Sequence, residues 1–503
     1  MPATYKDRAR EVDLLLIQPP VMKPILEENR TIARYFDALD ATGALLGDTP
    51  TEPNLGLLSI AANVRKNSPE LRIAVLDLNV AERQIRSESC TPIGSEDIRR
   101  LLRQYDPAVI GISFMTTAYG IWGKRLCEVC RNEFEDAYVV LGGIHPTARF
   151  EEVMQECGES IDAIILGEGE KVIVELLEIL GTDPRCALRH PNIFCAGNRP
   201  REVTRAHLSN LDLAQLPPPA FDLLPPEAMP VAVRFYTERG CSNSCSFCSV
   251  GEFFRGKLTS AVSVGVASVM TSISQTLREV DVSHVVIGNL SMFNSALADR
   301  AFARELGDLL NKEIGVSGWW CQTRGDLLDQ ETIRLLAESK CLQVAIGCEG
   351  GTDEQLRRIR KRETTDSIRR TLSNLREADI ETECYWIIGL PGDSVTDASA
   401  TQSKILEYLH DDLTTLTHIT ILVPYPNTPA ARQPARHNIR IHHEQWDQYW
   451  MNCDRFGCGF PVYDTLDRNG KLAMTSSDIY KMWLETLGLV TEFYDSRRAK
   501  EDA

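Results

Sequence analysis

The sequence predicts an α/β protein in which a doubly wound parallel sheet at the amino terminus is followed by a partial (β/α)6 barrel and a small mixed carboxyl-terminal region. Three observations predict it. Near-continuous runs of Val, Ile and Leu alternate with amphipathic stretches along most of the chain, the pattern of parallel strands buried on both faces by crossover helices. Six prolines crowd into "LPPPAFDLLPPEAMP" (216–230), a composition that sustains neither helix nor central strand and suits a semi-rigid connector between two such arrays. At 503 residues the chain also exceeds what one ordinary core accommodates.

In the first array the strands read "DLLLIQPP", "LRIAVLDL", "AVIGISFM", "AYVVLGG" and "IDAIILGEGE", separated by helical stretches such as "GLLSIAANVRKN". Ligands of doubly wound sheets sit beyond the carboxyl ends of the strands. The turns to inspect are therefore Pro19-Pro20, Ser113 to Thr117, Gly142 to Pro146, and Gly167 to Glu170. The second array reads "AVRFYTERG", "HVVIGNL", "GVSGWWCQT", "LQVAIGCE", "TECYWIIGL" and "HITILVP". Between its strands lie segments such as "ALADRAFARELGDLLNKE", whose Phe302, Leu306, Leu309 and Leu310 share one helical face. Six units fall short of a closed eight-stranded barrel, and their chemistry too belongs at the carboxyl ends of the strands. The expected boundaries are 1–185 for the first domain, 186–230 for the Pro-rich linker, 231–430 for the barrel and 431–503 for the tail, which ends in a helix-like run from Ser477.

Composition narrows the function classes. With 43% hydrophobic and 25% charged residues the chain is globular. A formal charge of -17 repels a phosphate backbone, which argues against nucleic acid as partner. The start, "MPATYKDRAREVDLLLIQPP", carries charges up to Glu11 and a short apolar run before two prolines, neither a secretory signal nor a membrane span. The expectation is a cytoplasmic protein without membrane contact. Fifteen cysteines, an odd number, are then expected mostly as thiols.

Three of those cysteines stand apart. "RGCSNSCSFCSV" places Cys241, Cys245 and Cys248 in a polar loop after the first barrel strand. Three thiolates can wrap one face of a metal cluster, whereas zinc and fully ligated iron-sulfur sites take four protein ligands, and no fourth cysteine is near in sequence. One metal corner would stay open for a substrate or cosubstrate. The alternatives are three unligated thiols, or a zinc ion completed by a distant residue.

This C-x3-C-x2-C run resembles the signature of the radical S-adenosylmethionine enzymes. The resemblance implies a [4Fe-4S] cluster whose fourth iron chelates the amino and carboxylate groups of S-adenosylmethionine, with Phe247 in the place of the aromatic residue beside the adenine. "IGCEGG", "IIGLPGDS" and "VPYPNTP" are similar to the family's fourth, fifth and sixth strand ends. Arg324 and Glu349 stand at predicted strand ends, placed for the polar ends of the cosubstrate; a salt bridge on the barrel rim is the other reading. On the second strand many members show glycines and an acidic residue, and this chain has Gly288-Asn289-Leu290.

The first domain lacks G-x-G-x-x-G after its first strand and has no G-x4-G-K-[ST], so dinucleotide and P-loop readings fail. Ser113-Phe114-Met115, followed after 26 residues by Gly142-Gly143, resembles the S-x-L and G-G elements of cobalamin-binding domains, with Met in place of Leu. Small residues at both turns leave room for a flat nucleotide tail between the strands. "PNLGLLSIAANVRK", "GGIHPTA" and "LGEGE" are similar to the cobalamin-dependent radical S-adenosylmethionine enzymes, a likeness spanning about residues 13 to 430. It implies cobalamin contacts from Ser113, Met115, Thr116, Gly142 and Gly143, with His145 as a hydrogen-bonding edge. Glu168, and Glu170 beside it, would meet corrin amides or else be solvated strand-end acids. The loop "QPPVMKPILEENRT" holds no histidine, so the cobalt is expected without a histidine beneath it.

The family resemblance further implies a methyltransferase that moves a methyl group from S-adenosylmethionine through cobalamin to a carbon of a small molecule, in a specialised pathway such as antibiotic biosynthesis. Oxidative cyclisation, ring rearrangement or methylation of phosphorus is the alternative, and a corrin-binding sensor is a third reading. The implied partners are the small-molecule substrate and an electron donor such as flavodoxin or ferredoxin. Other features read blandly: Cys127-x2-Cys130 as part of a helix, "RRIRKRETTDSIRR" (357–370) as a solvated helical face with a phosphate contact as the lesser reading, and His442-His443 with Cys453 and Cys458 as no metal site.

Overall fold

The computed structural model describes residues 11–20, 54–89, 93–182, 190–195, 211–226, 229–230, 232–294, 296–313, 315–442 and 461–501, together with Thr31, Arg34 and Ala38. The loop after the first strand and the tail residues His443, Cys453 and Cys458 lie outside them.

Strands β1 (Val12–Gln18), β2 (Ile73–Asp77), β3 (Pro107–Ser113), β4 (Tyr138–Gly142), β5 (Ala163–Ile165) and β6 (Ile193–Cys195) form one sheet in the order β2-β1-β3-β4-β5-β6. All pairings are parallel except β5 with β6. Alternate residues of each strand enter opposite cores: Leu15, Ile17, Ile110, Ile112 and Leu141 on one face, Leu14, Leu16, Val109 and Val140 on the other. Burial on both faces is what makes these strands apolar throughout. Strand order reverses between β1 and β3, so their carboxyl ends open a crevice there.

The expected boundary at residue 185 is corrected by β6, which extends this sheet into the segment taken as linker. The proline-rich stretch is itself packed in place. Ala220 belongs to the first domain's core, its backbone N–H donating to Leu58 O at 3.2 Å, whereas Phe221 and Leu224 belong to the barrel core.

The second sheet joins β7 (Ala232–Phe235), β10 (His284–Met292), β11 (Gly318–Thr323), β12 (Cys341–Glu349), β13 (Glu381–Ile388) and β14 (Leu416–Ile421), all parallel and in chain order. β7 and β14 do not pair, so the barrel is open, as expected from six units. A small hairpin, β8 (Glu238–Gly240) with β9 (Leu258–Ser260), brackets the cysteine loop. In the tail, β15 (Ile439–Ile441), β16 (Tyr463–Leu466) and β17 (Leu472–Met474) form an antiparallel sheet. The helix Ser476–Glu501 buries Ile479, Trp483, Leu487 and Val490 against the barrel at helical spacing. Trp483 Nε1 donates to Ile419 O at 2.8 Å and Tyr494 OH to Thr415 O at 3.1 Å, which fastens that helix to β14. Among the described residues no helix is long and apolar enough to cross a membrane.

Candidate functional site

A cavity of about 530 Å³ lies between the carboxyl ends of the first sheet and the mouth of the barrel. Gln18, Ser113, Gly142 and Gly167, each at or just beyond the end of β1, β3, β4 or β5, form one wall. Asn54 knits the switch point. Its side-chain amide donates to Gln18 Oε1 and, at 3.0 Å, to Ser113 Oγ, while its Oδ1 caps the helix Leu55–Asn67 at Leu57 N. The sequence argument missed Asn54, although an Asn directly before an amphipathic run is an N-cap signal.

The two glycines of the β4 turn do different work. Gly143 has φ +120, and a Cβ there would lie 2.5 Å from Phe114 O, so the close approach of the two strand ends demands glycine. A Cβ on Gly142 would meet nothing within 4 Å and would project into the cavity. That open space is what a flat ligand needs. Three side chains that are unusually exposed for their type line the same cavity: Met115 (38%) from the first domain, Tyr236 (42%) and Leu290 (41%) from the barrel. Apolar side chains left facing a cavity between two packed cores suit an apolar macrocycle.

Other expected contacts sit elsewhere. His145 does not line the cavity: it is buried behind the β4 turn, its Nδ1 2.9 Å from Thr117 Oγ1 and its ring 5.0 Å from that of Phe114. Burial, with Arg149 nearby, pushes it down to about 3, so the ring is neutral. Thr116 is half-buried and also off the cavity wall. Glu168 lines the cavity, yet its carboxylate holds Arg239 Nη1 at 2.9 Å, and Glu170 holds Nη2 of the same guanidinium at 2.6 Å. Burial opposes the charge on Glu170, but Arg239 and Ser59 Oγ, 3.2 Å away, outweigh it and leave the carboxyl below its usual range. These acids are therefore not solvated.

Arg239 leads into the cysteine loop, where Cys241, Cys245 and Cys248 are half-buried free thiols. The loop is pinned from both sides: Ser246 N donates to Ile359 O at 2.9 Å, and Ala430 N donates to Ser246 O at 2.9 Å. Asn243 turns its backbone and side-chain N–H groups towards Cys241 Sγ, at 3.4 and 3.5 Å. Burial pushes Cys245 up to about 11 and raises Cys248 as well. Thiolates so placed need a bound cation to stabilise them.

Beside the loop lies a buried ion network. Glu349, at φ 64 on the end of β12, bonds Lys361 Nζ at 2.9 Å; Lys361 lies 3.6 Å from Glu363; and Arg324 joins Glu363 at 3.5 Å and Asp326 at 2.9 Å. Arg324 and Glu349 thus form a rim network whose charges are felt at Cys245. Lys361 and Glu363 were missed, and their burial corrects the solvated-helix reading of 357–370: a tight link between two helices alternates buried Ile359, Lys361 and Glu363 with exposed Arg360 and Arg362. Phe247 packs partly against the barrel core. Asn289, fully buried, accepts from Thr237 N and Glu238 N at 2.8 and 2.9 Å and so braces β10 to the start of the cysteine loop. Cys127 and Cys130 are buried on the helix Gly120–Glu133, Cys127 beside Cys157.

Comparison with known proteins agrees with this division. The family model "B12 binding domain" matches residues 48–177 and "Radical SAM superfamily" matches 236–403. An uncharacterized methyltransferase of Pyrococcus horikoshii is 25% identical over 413 residues, 79% of this chain and 82% of the relative. The anaerobic magnesium-protoporphyrin IX monomethyl ester cyclase of Rubrivivax gelatinosus is 23% identical over 348 residues, covering 66% of this chain and 60% of its own. Among solved structures, the radical S-adenosylmethionine methyltransferase TsrM of Kitasatospora setae, with tryptophan and a cosubstrate analogue bound, superposes with a TM-score of 0.66 at 16% identity, over 90% of this chain and 85% of that one. The matched models name B12 binding for the first domain and the radical S-adenosylmethionine superfamily for the second, and another TsrM structure from Kitasatospora setae, 15% identical with a TM-score of 0.64, holds cobalamin and a [4Fe-4S] cluster. With the interdomain cavity and the cysteine loop joined through Arg239, the chain belongs to the cobalamin-dependent radical S-adenosylmethionine enzymes.

Proposed function

We propose that the protein is a methyltransferase that moves a methyl group from S-adenosylmethionine, by way of cobalamin, to a carbon atom of a small-molecule substrate. The observation that carries this reading is the shared cavity, in which Ser113 and Gly142 of the first sheet face Tyr236 and Leu290 of the barrel mouth. A methyl carrier bound on one side would stand directly over the barrel lumen. In this reading Cys241, Cys245 and Cys248 hold three irons of the cluster and the cavity holds the corrin. When bound, these groups supply one-electron cleavage of a sulfonium and carriage of a methyl group.

The chain supplies placement. Gly142 leaves the entry clear for the cobalamin tail, and Met115, Tyr236 and Leu290 cover apolar surface and keep water from the reacting space. Glu349, one oxygen of which is engaged by Lys361, would hold the amino group of S-adenosylmethionine with the other. Arg324 is engaged by Asp326 and Glu363 and orients that rim. Arg239 keeps the two cofactor loops in register, which turns a rare encounter into a positioned one.

Anaerobic turnover of candidate substrates with methyl-deuterated S-adenosylmethionine, read by mass spectrometry, tests the proposal. A deuterated methyl on a product carbon supports it. Release of 5'-deoxyadenosine with a cyclised or rearranged product free of deuterium sinks it in favour of the chemistry named for the Rubrivivax relative.

A further inference from the structure

The concave face of the barrel carries a polar cluster that neither cofactor loop uses. Along β11 to β14 the residues Cys321, Val344, Ile346, Cys384, Trp386 and Ile419 belong to the barrel core, so strand alternation turns Gln322, Gln343, Gly347, Glu383, Tyr385 and His418 the other way, into the lumen. Gln322, Gly347 and Tyr385 keep accessible surface there, while the core-facing residues do not. The lumen is therefore open at their level. Tyr236, just past β7, and Leu290 of β10 line the interdomain cavity.

Glu383 organises the cluster. Gln343 Nε2 donates to its Oε2 at 2.8 Å, Tyr385 OH donates to its Oε1 at 2.6 Å, and His418 Nε2 lies 2.5 Å from Oε1 with its ring stacked on that of Tyr385 at 4.9 Å. The carboxylate thus occupies the hydroxyl proton of Tyr385 and fixes which way the Gln343 amide points. What these two side chains have left is acceptor capacity, the amide oxygen of Gln343 and the lone pairs of the phenol. Gln343 is 1% exposed and its Oε1 has no hydrogen-bond partner among the described residues, a cost that a donor from outside the chain would relieve.

The cluster lies beside the cosubstrate rim. Gly347 pairs in register with Tyr385, and Tyr385 with His418, while a Cβ on Gly347 would stand 2.7 Å from Lys361 Nζ and against the Glu349 carboxylate. With neighbouring strands about 4.8 Å apart, Tyr385 is one strand from that ion pair and His418 two. Charge narrows what fits here. The carboxylate and the acceptor oxygens repel an anion, and Trp320, in register with Gln343, already carries the Arg234 guanidinium over its ring at 5.3 Å, which disfavours a second cation at this level.

We propose that Gln343 and Tyr385, held by Glu383, form the specificity site for a hydrogen-bond donor of the substrate, an uncharged N–H group of amide type. This rests on the reading of the protein as an enzyme that acts on a small molecule at the barrel mouth. The site selects by accepting a hydrogen bond, so a substrate lacking the N–H leaves Gln343 Oε1 unpaired and binds less well.

The test is equilibrium dialysis of labelled probes against the anaerobic holoprotein carrying cobalamin, cluster and S-adenosylmethionine. Benzamide should bind roughly threefold or more tightly than N,N-dimethylbenzamide, which keeps the carbonyl and loses the N–H, the scale of one net hydrogen bond. Gln343→Leu and the milder Tyr385→Phe, which keeps the ring, should bring that ratio towards one, and Arg334→Gln, on a distant exposed helix, should leave it alone. A cluster that only holds the barrel together would lower the denaturation midpoint of these variants without moving the ratio. An unchanged ratio in both variants, or no measurable benzamide binding to the parent, overturns the site. Benzoate or benzylamine binding as tightly as benzamide overturns the uncharged class. The methyl-transfer reading fails separately: a parent protein that puts no deuterated methyl on any product yet keeps the probe preference, lost in the two variants, refutes that reaction and retains the site.

Discussion

Arg239 Nη2 lies 2.6 Å from Glu170 Oε1, and because Nη1 of the same guanidinium reaches Glu168, one side chain ties the β5 turn of the corrin domain to the strand that enters the cysteine loop. Glu170 is buried, and Arg239 is only 17% exposed. A pair so enclosed contributes less through attraction than its disruption would cost, because removing one partner strands the other. Arg239→Met should lower stability by about 3–5 kcal/mol, read as a fall in denaturation midpoint. If the bridge also sets the register of the two loops, the variant should keep iron and cobalamin while product formation drops more than cofactor content.

The same pair sets an acid limit. The folded-state pKa of Glu170 lies below its ordinary value of 4.5, so its stabilising contribution is present above that value and is lost as the pH falls through the depressed folded value. Glu170→Gln should leave a protein less stable at pH 7 but with a shallower loss of stability below about pH 4.5. Urea midpoints from pH 3 to 7 give both slopes, and parallel curves for parent and variant would contradict the assignment.

Adjacent glycines should separate folding from binding. Gly142→Val places its side chain in open space at a strand end, so the apoprotein midpoint should stay within about 0.5 kcal/mol of the parent. The same side chain obstructs the cavity, and cobalamin retained after gel filtration, read by absorption, should fall to background. Gly143→Ala meets Phe114 O at 2.5 Å in a conformation with φ +120. It should cost about 3 kcal/mol or more before any ligand is added.

What the sequence made legible follows from range. The β1 to β5 runs and the six barrel strands were readable because parallel strands buried on two faces are apolar residue after residue, a local signal. Cys241, Cys245 and Cys248 were readable because their spacing lies within one loop. Arg239 with Glu168 is a contact across 71 positions, and Lys361 with Glu349 depends on a tight link whose φ angles no composition announces. β6 has three residues, too few to show a period, and so the first domain was ended early. The reading of Glu168 as a corrin contact failed to foresee its partner because the guanidinium that binds it comes from the other domain.

Lys361 provides a test at the other end of the pH scale. Burial disfavours its ammonium, but Glu349 and Glu363 outweigh that and raise its pKa above the ordinary 10.5. Stability from this group is fully present below 10.5 and is lost only as the pH climbs through the raised folded value. Lys361→Met leaves Glu349 without its cation and Glu363 with Arg324 alone, which should cost about 3–5 kcal/mol at pH 7. Adding Glu363→Gln removes the carboxylate that then faces Glu349 and should recover part of that loss, a coupling a double-mutant cycle measures directly. A purely additive cycle would mean the three side chains do not act as the network their distances describe.

His145 gives the last prediction. It is buried, neutral and pushed down to about 3, chiefly by burial, beside Thr117 and Phe114 at the back of the cavity wall. A histidine that charges more easily when unfolded contributes stability in full above 6.5, and the contribution declines as the pH falls from there towards 3. Because the ring stays uncharged through the working range, cobalamin retention should not change between pH 5.5 and 8 through this residue. His145→Gln, which keeps a hydrogen-bonding group for Thr117 without a titrating ring, should retain cobalamin and lose the decline in stability between pH 6.5 and 4 that the parent shows. Loss of cobalamin in that variant at unchanged stability would instead place His145 in contact with the corrin, a role its position behind the β4 turn does not provide.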